Sequence, residues 1–227
     1  MLQPVSSENR LSVDPVATLR QPWLSLLREQ RVIAVIRTDS LSLSLRLAQL
    51  AIEAGVRLIE ITWNSAQAGE AITRLRQQFP QGWIGAGTIL TSSDLHQAID
   101  QGSQFCFTPH YNLPLIQQAI AAKIPIIPGA FSPTEIVQAW HGGASAVKVF
   151  PINTLGGVNY LQALRGPLGH IPLIPTGGVT LDNASRLIQA GAIAVGLSGQ
   201  LFPAALIQRQ DWLMLKQRLT TFVARMQ

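Results

Sequence analysis

Three ionisable side chains lie in or directly after short apolar runs, where a folded chain seldom places charge. Lys148 sits in Ala146-Val147-Lys148-Val149-Phe150-Pro151, Glu60 in Leu58-Ile59-Glu60-Ile61-Thr62, and Arg37 follows Ile33-Ala34-Val35-Ile36. Apolar surroundings disfavour an ammonium and lower its pKa. The neutral amine that results is the nucleophile that carbonyl substrates require. A carboxyl in a similar setting has its pKa raised, which suits proton transfer near neutral pH. The planar fork of an arginine pairs with a carboxylate. An amine nucleophile, a proton shuttle and a carboxylate clamp are the parts needed to handle an α-keto acid, with the imine as electron sink. Each residue also has a structural reading. Lys148 could pair with a carboxylate or reach a substrate phosphate, Glu60 could serve as counter-ion to Lys148 or Arg37, and Arg37 could bridge to Glu60. From the residues alone these alternatives stay open.

Glycine-rich segments follow several apolar runs. Pro175-Thr176-Gly177-Gly178-Val179 and Gly196-Leu197-Ser198-Gly199 fall after the seventh and eighth runs. In barrels the loops at those two places often hold a phosphate, because glycine lets backbone N–H groups approach an anion. Gly156-Gly157 could add a contact. Gly85-Ala86-Gly87-Thr88 offers a hydroxyl to a substrate carboxylate, and its glycines also suit close backbone packing. Phe107-Thr108-Pro109-His110 ends another run, and a lone loop histidine such as His110 seldom has a chemical role. His96, His141 and His170 have no ligand spacing, and no cluster of His, Asp, Glu or Cys supports a metal. The expectation is a reaction with neither metal nor cofactor.

The elements that must position these groups are legible as a series. Apolar runs at Val32–Ile36, Arg57–Thr62, Trp83–Ala86, Gln104–Phe107, Pro125–Ile127, Ala146–Phe150, Pro172–Ile174 and Ala192–Leu197 mostly lack alternation, as strands covered on both faces do. Between them lie helical patterns at Leu41–Glu53, Ala66–Gln78, Ser92–Ile99, Leu113–Ala121, Pro133–Trp140, Val158–Leu164 and Asp182–Gln189. One more precedes the series at Pro15–Glu29 and one follows it at Asp211–Met226. Ser132 with Glu135 three residues later reads as an N-cap, Pro133 suits the first helical position, and Asp182 is a second candidate cap. Gly55, Gly102 and Gly191 fall just past helix ends. Eight β-then-α units predict an α/β fold, a single (β/α)₈ TIM barrel over residues 15–227 with an extra N-terminal helix, after a polar lead-in over residues 1–14. An open doubly wound sheet is the alternative.

Bulk properties narrow the function. The 227 residues are 47% hydrophobic and 13% charged, far from a disordered composition. Lys and Arg number 17 against 12 Asp and Glu, a net charge of +5, but the basic residues form no stripe, so anionic metabolites fit better than nucleic acid. The one cysteine, Cys106, reads as a small buried hydrophobe. No apolar stretch reaches the ~18 residues that span a bilayer. A cytoplasmic protein with no membrane partner is expected.

The motifs IAVIR (Ile33–Arg37), LIEIT (Leu58–Thr62), GAGT (Gly85–Thr88), Thr108–Pro109, Pro128–Gly129, VKVFP (Val147–Pro151) and PTGG (Pro175–Gly178) occur in order. Over about residues 20 to 220 the chain resembles the 2-keto-3-deoxy-6-phosphogluconate and 4-hydroxy-2-oxoglutarate aldolases. The resemblance implies a class I aldolase that releases pyruvate, with glyceraldehyde 3-phosphate or glyoxylate as the other product, acting as a homotrimer. It implies Lys148 as the Schiff-base lysine and Glu60 as the acid/base. Arg37, Thr88, Pro109 and Phe150 would surround pyruvate, with Thr176, Gly177, Gly178 and Ser198 around phosphate. One branch of the family carries arginine four residues after the glutamate, where this chain has Asn64. The carboxylate contact would then fall to Arg37. A related branch acting on the galactonate epimer also pairs such an arginine with an Asn-Ser. Leu197 stands where a glycine is common. The rival readings are a phosphosugar isomerase or synthase on the same barrel, and a barrel that binds without catalysis.

Overall fold

The computed structural model describes residues 15–227, so the expected lead-in over residues 1–14 lies outside the described residues. The strands are β1 (Val32–Ile36), β2 (Leu58–Thr62), β3 (Trp83–Gly87), β4 (Cys106–Phe107), β5 (Ile126–Ile127), β6 (Gly129–Ala130), β7 (Val147–Val149), β8 (Leu173–Pro175) and β9 (Val195–Leu197). The helices are α1 (Pro15–Gln30), α2 (Leu41–Glu53), α3 (Ala68–Gln78), α4 (Ser92–Asp100), α5 (Leu113–Ala121), α6 (Pro133–His141), α7 (Val158–Leu168), α8 (Ala184–Gln189), α9 (Ala204–Gln208) and α10 (Trp212–Met226). No helix among the described residues is long and apolar enough to cross a membrane.

Local chemistry explains most helix boundaries. Ser132 and Glu135 form the expected reciprocal capping box on α6, and Thr91 with Asp94 forms another on α4. Gly55, Gly102 and Gly191 all adopt the left-handed backbone that ends a helix and turns toward the next strand. Asp182 does not cap α8. The cap is Asn183, whose Oδ1 accepts from the Thr180 N–H while Thr180 Oγ1 accepts from the Asn183 N–H. That closed turn contains Asp182 and delays the helix to Ala184. Helix α3 likewise starts two residues later than expected, because Gln67 is left-handed. The five-residue α9 had no periodic signal long enough to mark it.

All strand pairings are parallel. One curled sheet has the order β5-β4-β3-β2-β1-β9, and a second the order β6-β7-β8. The run expected at Pro125–Ile127 forms β5, and beyond Pro128 an additional short strand, β6, belongs to the second sheet. Proline has no N–H to give, although its carbonyl accepts from Lys148 N at 2.9 Å. At the other junction the Ile193 N–H donates to Leu173 O at 3.0 Å, and Thr176 bridges to Gly196. The observed architecture is therefore an α/β fold around a curled parallel sheet, rather than the uninterrupted eight-strand ladder expected.

Two apolar cores lie on the two sides of this sheet. Val32, Ala34, Ile36, Ile59, Ile61, Val147, Val149 and Val195 pack outward against the helices. Ile33, Val35, Leu58, Phe105, Phe107, Ile127, Ala146, Ile174 and Ala194 pack inward, together with Trp23, Leu24 and Leu27 of α1. Successive strand residues point to opposite faces. Glu60 and Lys148 therefore share the inner parity of Leu58 and Ala146.

Candidate active site

A cavity of about 390 Å³ opens on the inner side of the sheet, and all ten residues expected in the site line it. The strand register puts the charged members there. Glu60 is two residues beyond inward-facing Leu58 on β2, and Lys148 two beyond Ala146 on β7. Arg37 continues the parity of Ile33 and Val35 just past β1. Lys148 is 5% exposed and Glu60 2%, so both meet almost no bulk water.

Lys148 is held among rings. Its Nζ lies 4.7 Å from the centre of the Phe150 ring and 5.9 Å from that of Phe107. Among the described residues no carboxylate lies within 4.0 Å of it. The ion pairs found are the exposed or half-exposed Glu29–Arg57, Glu70–Arg74 and Glu53–Lys216. The structural readings in which Lys148 or Arg37 is locked to Glu60 are thus not the geometry adopted. Burial holds the Lys148 amine below the usual lysine range, opposed by the charge of Glu60 and assisted by that of Arg37. Burial pushes the Glu60 carboxyl up, opposed by the charges of Lys148 and Arg37. Two buried groups each shifted toward neutrality suit nucleophilic attack and proton transfer.

Glycines make room for the carboxyl. A side chain at Gly87, the register partner of Thr62, would overlap Glu60 Oε1, and one at Gly85, the register partner of Glu60, would overlap the Phe105 carbonyl and ring. The close packing expected of this motif is seen at both Gly85 and Gly87. Thr88 follows in a left-handed conformation, with φ 57°. Such backbone is rare outside glycine and concentrates at functional sites. Its Oγ1 accepts from Arg37 Nη2 at 3.4 Å, and Thr62 Oγ1 accepts from Arg37 Nε at 3.5 Å. Pro109 forms part of the opposite wall, where Gly129 packs against its backbone. His110 is not on the lining, although its carbonyl accepts from the Thr108 hydroxyl.

Exposed Gly178 and Ser198 line the cavity together with half-buried Gly177 and buried Thr176. Gly177 and Gly178 have φ of 80° and 86°, conformations open to glycine. The N–H groups of Gly178, Gly199 and Gln200 donate to no acceptor among the described residues. Unpaired amides converging on a cavity are what an anion requires.

Several lining or supporting residues escaped the sequence reading, namely Val35, Thr62, Phe107, Thr180 and Gln200. Thr62 and Phe107 follow from strand parity once Glu60 is placed, whereas nothing local marks Gln200. Cys106 points outward into the helix-side core, with its thiol pushed up to about 12 by burial. No group of three or more His, Cys, Asp or Glu among the described residues could hold a metal ion.

Residues 24–218 match the family model described as Aldolase: KDPG and KHG aldolase. The chain is 35% identical over 189 residues to a 2-dehydro-3-deoxy-phosphogluconate aldolase of Pseudomonas aeruginosa, covering 83% of this chain and 86% of that protein. It is 30% identical over 188 residues to the KHG/KDPG aldolase of Escherichia coli strain K12, covering 83% and 88%. Among solved structures, a KDPG aldolase from Legionella pneumophila, with pyruvate captured at low pH as a covalent carbinolamine intermediate, superposes with a TM-score of 0.79. It shares 26% identity, covering 92% of this chain and 98% of that one.

Proposed function

Since this chain belongs to the KDPG and KHG aldolase family and is a class I aldolase, we propose that Lys148 forms the Schiff base with pyruvate and that Glu60 moves the protons. The observation that carries this is a buried amine with no carboxylate within 4.0 Å among the described residues, on the wall of the cavity that also holds Glu60 and Arg37. The neutral Lys148 amine adds to the keto carbon of the substrate, giving a carbinolamine that loses water to become an imine. Glu60 donates and accepts the protons of these steps, and takes the proton of the C4 hydroxyl. The C3–C4 bond then breaks, its electron pair flows into the imine to give an enamine, and an aldehyde leaves. Protonation at C3 and hydrolysis release pyruvate and the free amine. Arg37 and Thr88 hold the carboxylate, with Pro109 and Phe150 as apolar walls.

The substrates we assign are 2-keto-3-deoxy-6-phosphogluconate, cleaved to pyruvate and glyceraldehyde 3-phosphate, and 4-hydroxy-2-oxoglutarate, cleaved to pyruvate and glyoxylate. The open amides near Thr176, Gly177, Gly178 and Ser198 favour a phosphate at the mouth. Arg37 combined with Asn64 and Ser65 favours a second reading, the galactonate-derived epimer. We also read the two sheets as one closed (β/α)₈ barrel making a single domain over residues 15–227, and the working assembly as a homotrimer in the cytoplasm.

Borohydride reduction in the presence of pyruvate is expected to leave a pyruvyl mass on Lys148, located by peptide mass spectrometry. An adduct on Lys123, or none at all, refutes the assignment. Relative turnover of the three keto acids then ranks the substrates.

A further inference from the structure

Arg37 is exposed, yet it is asked to clamp a carboxylate. Fixing such a side chain costs rotamer freedom, so something must hold it before substrate arrives. Two of its five N–H donors are already engaged, Nε with Thr62 Oγ1 and Nη2 with Thr88 Oγ1. The two donors on Nη1 and the second on Nη2 make no bond among the described residues. One edge of the fork is anchored and the other is open.

The anchor is itself braced. Thr62 is fully buried, two residues past Glu60 on the same face of β2. Its Oγ1 lies 2.9 Å from Ser65 Oγ. Either hydroxyl of this pair can donate to the other, and the Thr62 oxygen keeps a lone pair for the Arg37 N–H in both cases. Ser65 Oγ also accepts the Thr38 N–H at 3.2 Å, and the Ala66 N–H donates to Thr38 O at 3.0 Å. The hydroxyl pair therefore grips Arg37 at both ends, through its guanidinium and through the backbone of the next residue.

We propose that Thr62, backed by Ser65, is a positioning residue that presets Arg37 with one guanidinium edge free for the keto-acid carboxylate. The proposal rests on reading Arg37 as the carboxylate contact, and the experiment separates the two. The pyruvate concentration giving half-maximal borohydride trapping on Lys148 is measured for the parent and for T62V, T62S, R37M and the T62V/R37M double variant. T62V keeps the shape without the hydroxyl and is expected to raise that concentration about fivefold, the size of one hydrogen bond, with the trapped yield at saturation unchanged. T62S is expected to restore the parent value, and T62V to add nothing once Arg37 is gone. A raised value in R37M with T62V unchanged overturns the positioning role alone, as does a T62V shift that persists undiminished in the R37M background. An unchanged R37M overturns the carboxylate reading itself. If T62V does not fold, S65A takes its place, with a smaller rise expected and the same dependence on Arg37; no rise, or one that survives R37M, overturns the proposal.

Discussion

Burial holds the Lys148 amine below the usual lysine range, and the neighbouring charges of Glu60 and Arg37 act on it with opposite signs. Glu60 favours the ammonium, and Arg37 disfavours it together with burial. Imine formation needs the free amine, so the acid limb of pyruvate trapping follows the lysine. Replacing Glu60 by Gln removes the group that favours protonation, and the limb is expected to move to lower pH. Replacing Arg37 by Met removes a group that opposes protonation, and the limb is expected to move to higher pH. Trapping measured across pH at saturating pyruvate checks both, and shifts of equal sign would show that the three are not coupled as described. At this scale much was legible in the sequence, because a charge inside an apolar run stands out whatever the fold. What the sequence did not show was which structural pairing would form, since that depends on distances across the sheet. Thr62 was hidden for a different reason, since strand parity puts it on the face of Glu60 but does not show its hydrogen bond to Arg37 on the neighbouring strand.

At the scale of elements, the inner face of the sheet decides what each strand can carry. Gly87 stands beside Glu60 because only a residue without a side chain leaves room for the carboxyl. The variant G87A is therefore expected to lose about 1–3 kcal/mol of stability through overpacking and to slow exchange of the pyruvate methyl protons by displacing Glu60. Denaturant unfolding and proton exchange followed by NMR report the two effects, and unchanged exchange would detach Gly87 from the chemistry. Strands and most helices were readable from their apolar runs and caps, with α2 and α5 matching to the residue. Alternation was invisible because both faces are apolar, so the inner and outer cores separated only in three dimensions. The break at Pro128, the turn closed by Thr180 and Asn183, and the short α9 depend on hydrogen bonds that no hydrophobic pattern records.

Across the whole molecule, α1 joins the inner core of the sheet to the helices outside it. Trp23 packs against Phe105 at 5.0 Å between ring centres, Phe105 meets Phe107 at 5.8 Å, and Phe107 lies beneath Lys148. Arg20 fastens the helix to α6, its guanidinium 3.6 Å above the Trp140 ring and its Nε donating to Ala144 O at 2.9 Å. The variant W23A is expected to cost ~3–5 kcal/mol, as large aromatic truncations in cores do, measured from the urea midpoint. A loss below ~1 kcal/mol would mean that α1 is an appendage instead of part of the core. The sequence foretold a helix at this place but not its partners, because contacts between residues so far apart leave no trace in local periodicity.

The aromatic column under the lysine also gives the reaction a direction. With the inner side of the sheet filled from below by Trp23, Leu24 and Leu27, traffic uses the end where Ser198 and Gly199 meet solvent. On the proposed role of Lys148, pyruvate tethered at the bottom is the last fragment able to depart, and the aldehyde above it must go first. Run in the synthetic direction, the same one-way well must fill in reverse, keto acid before aldehyde.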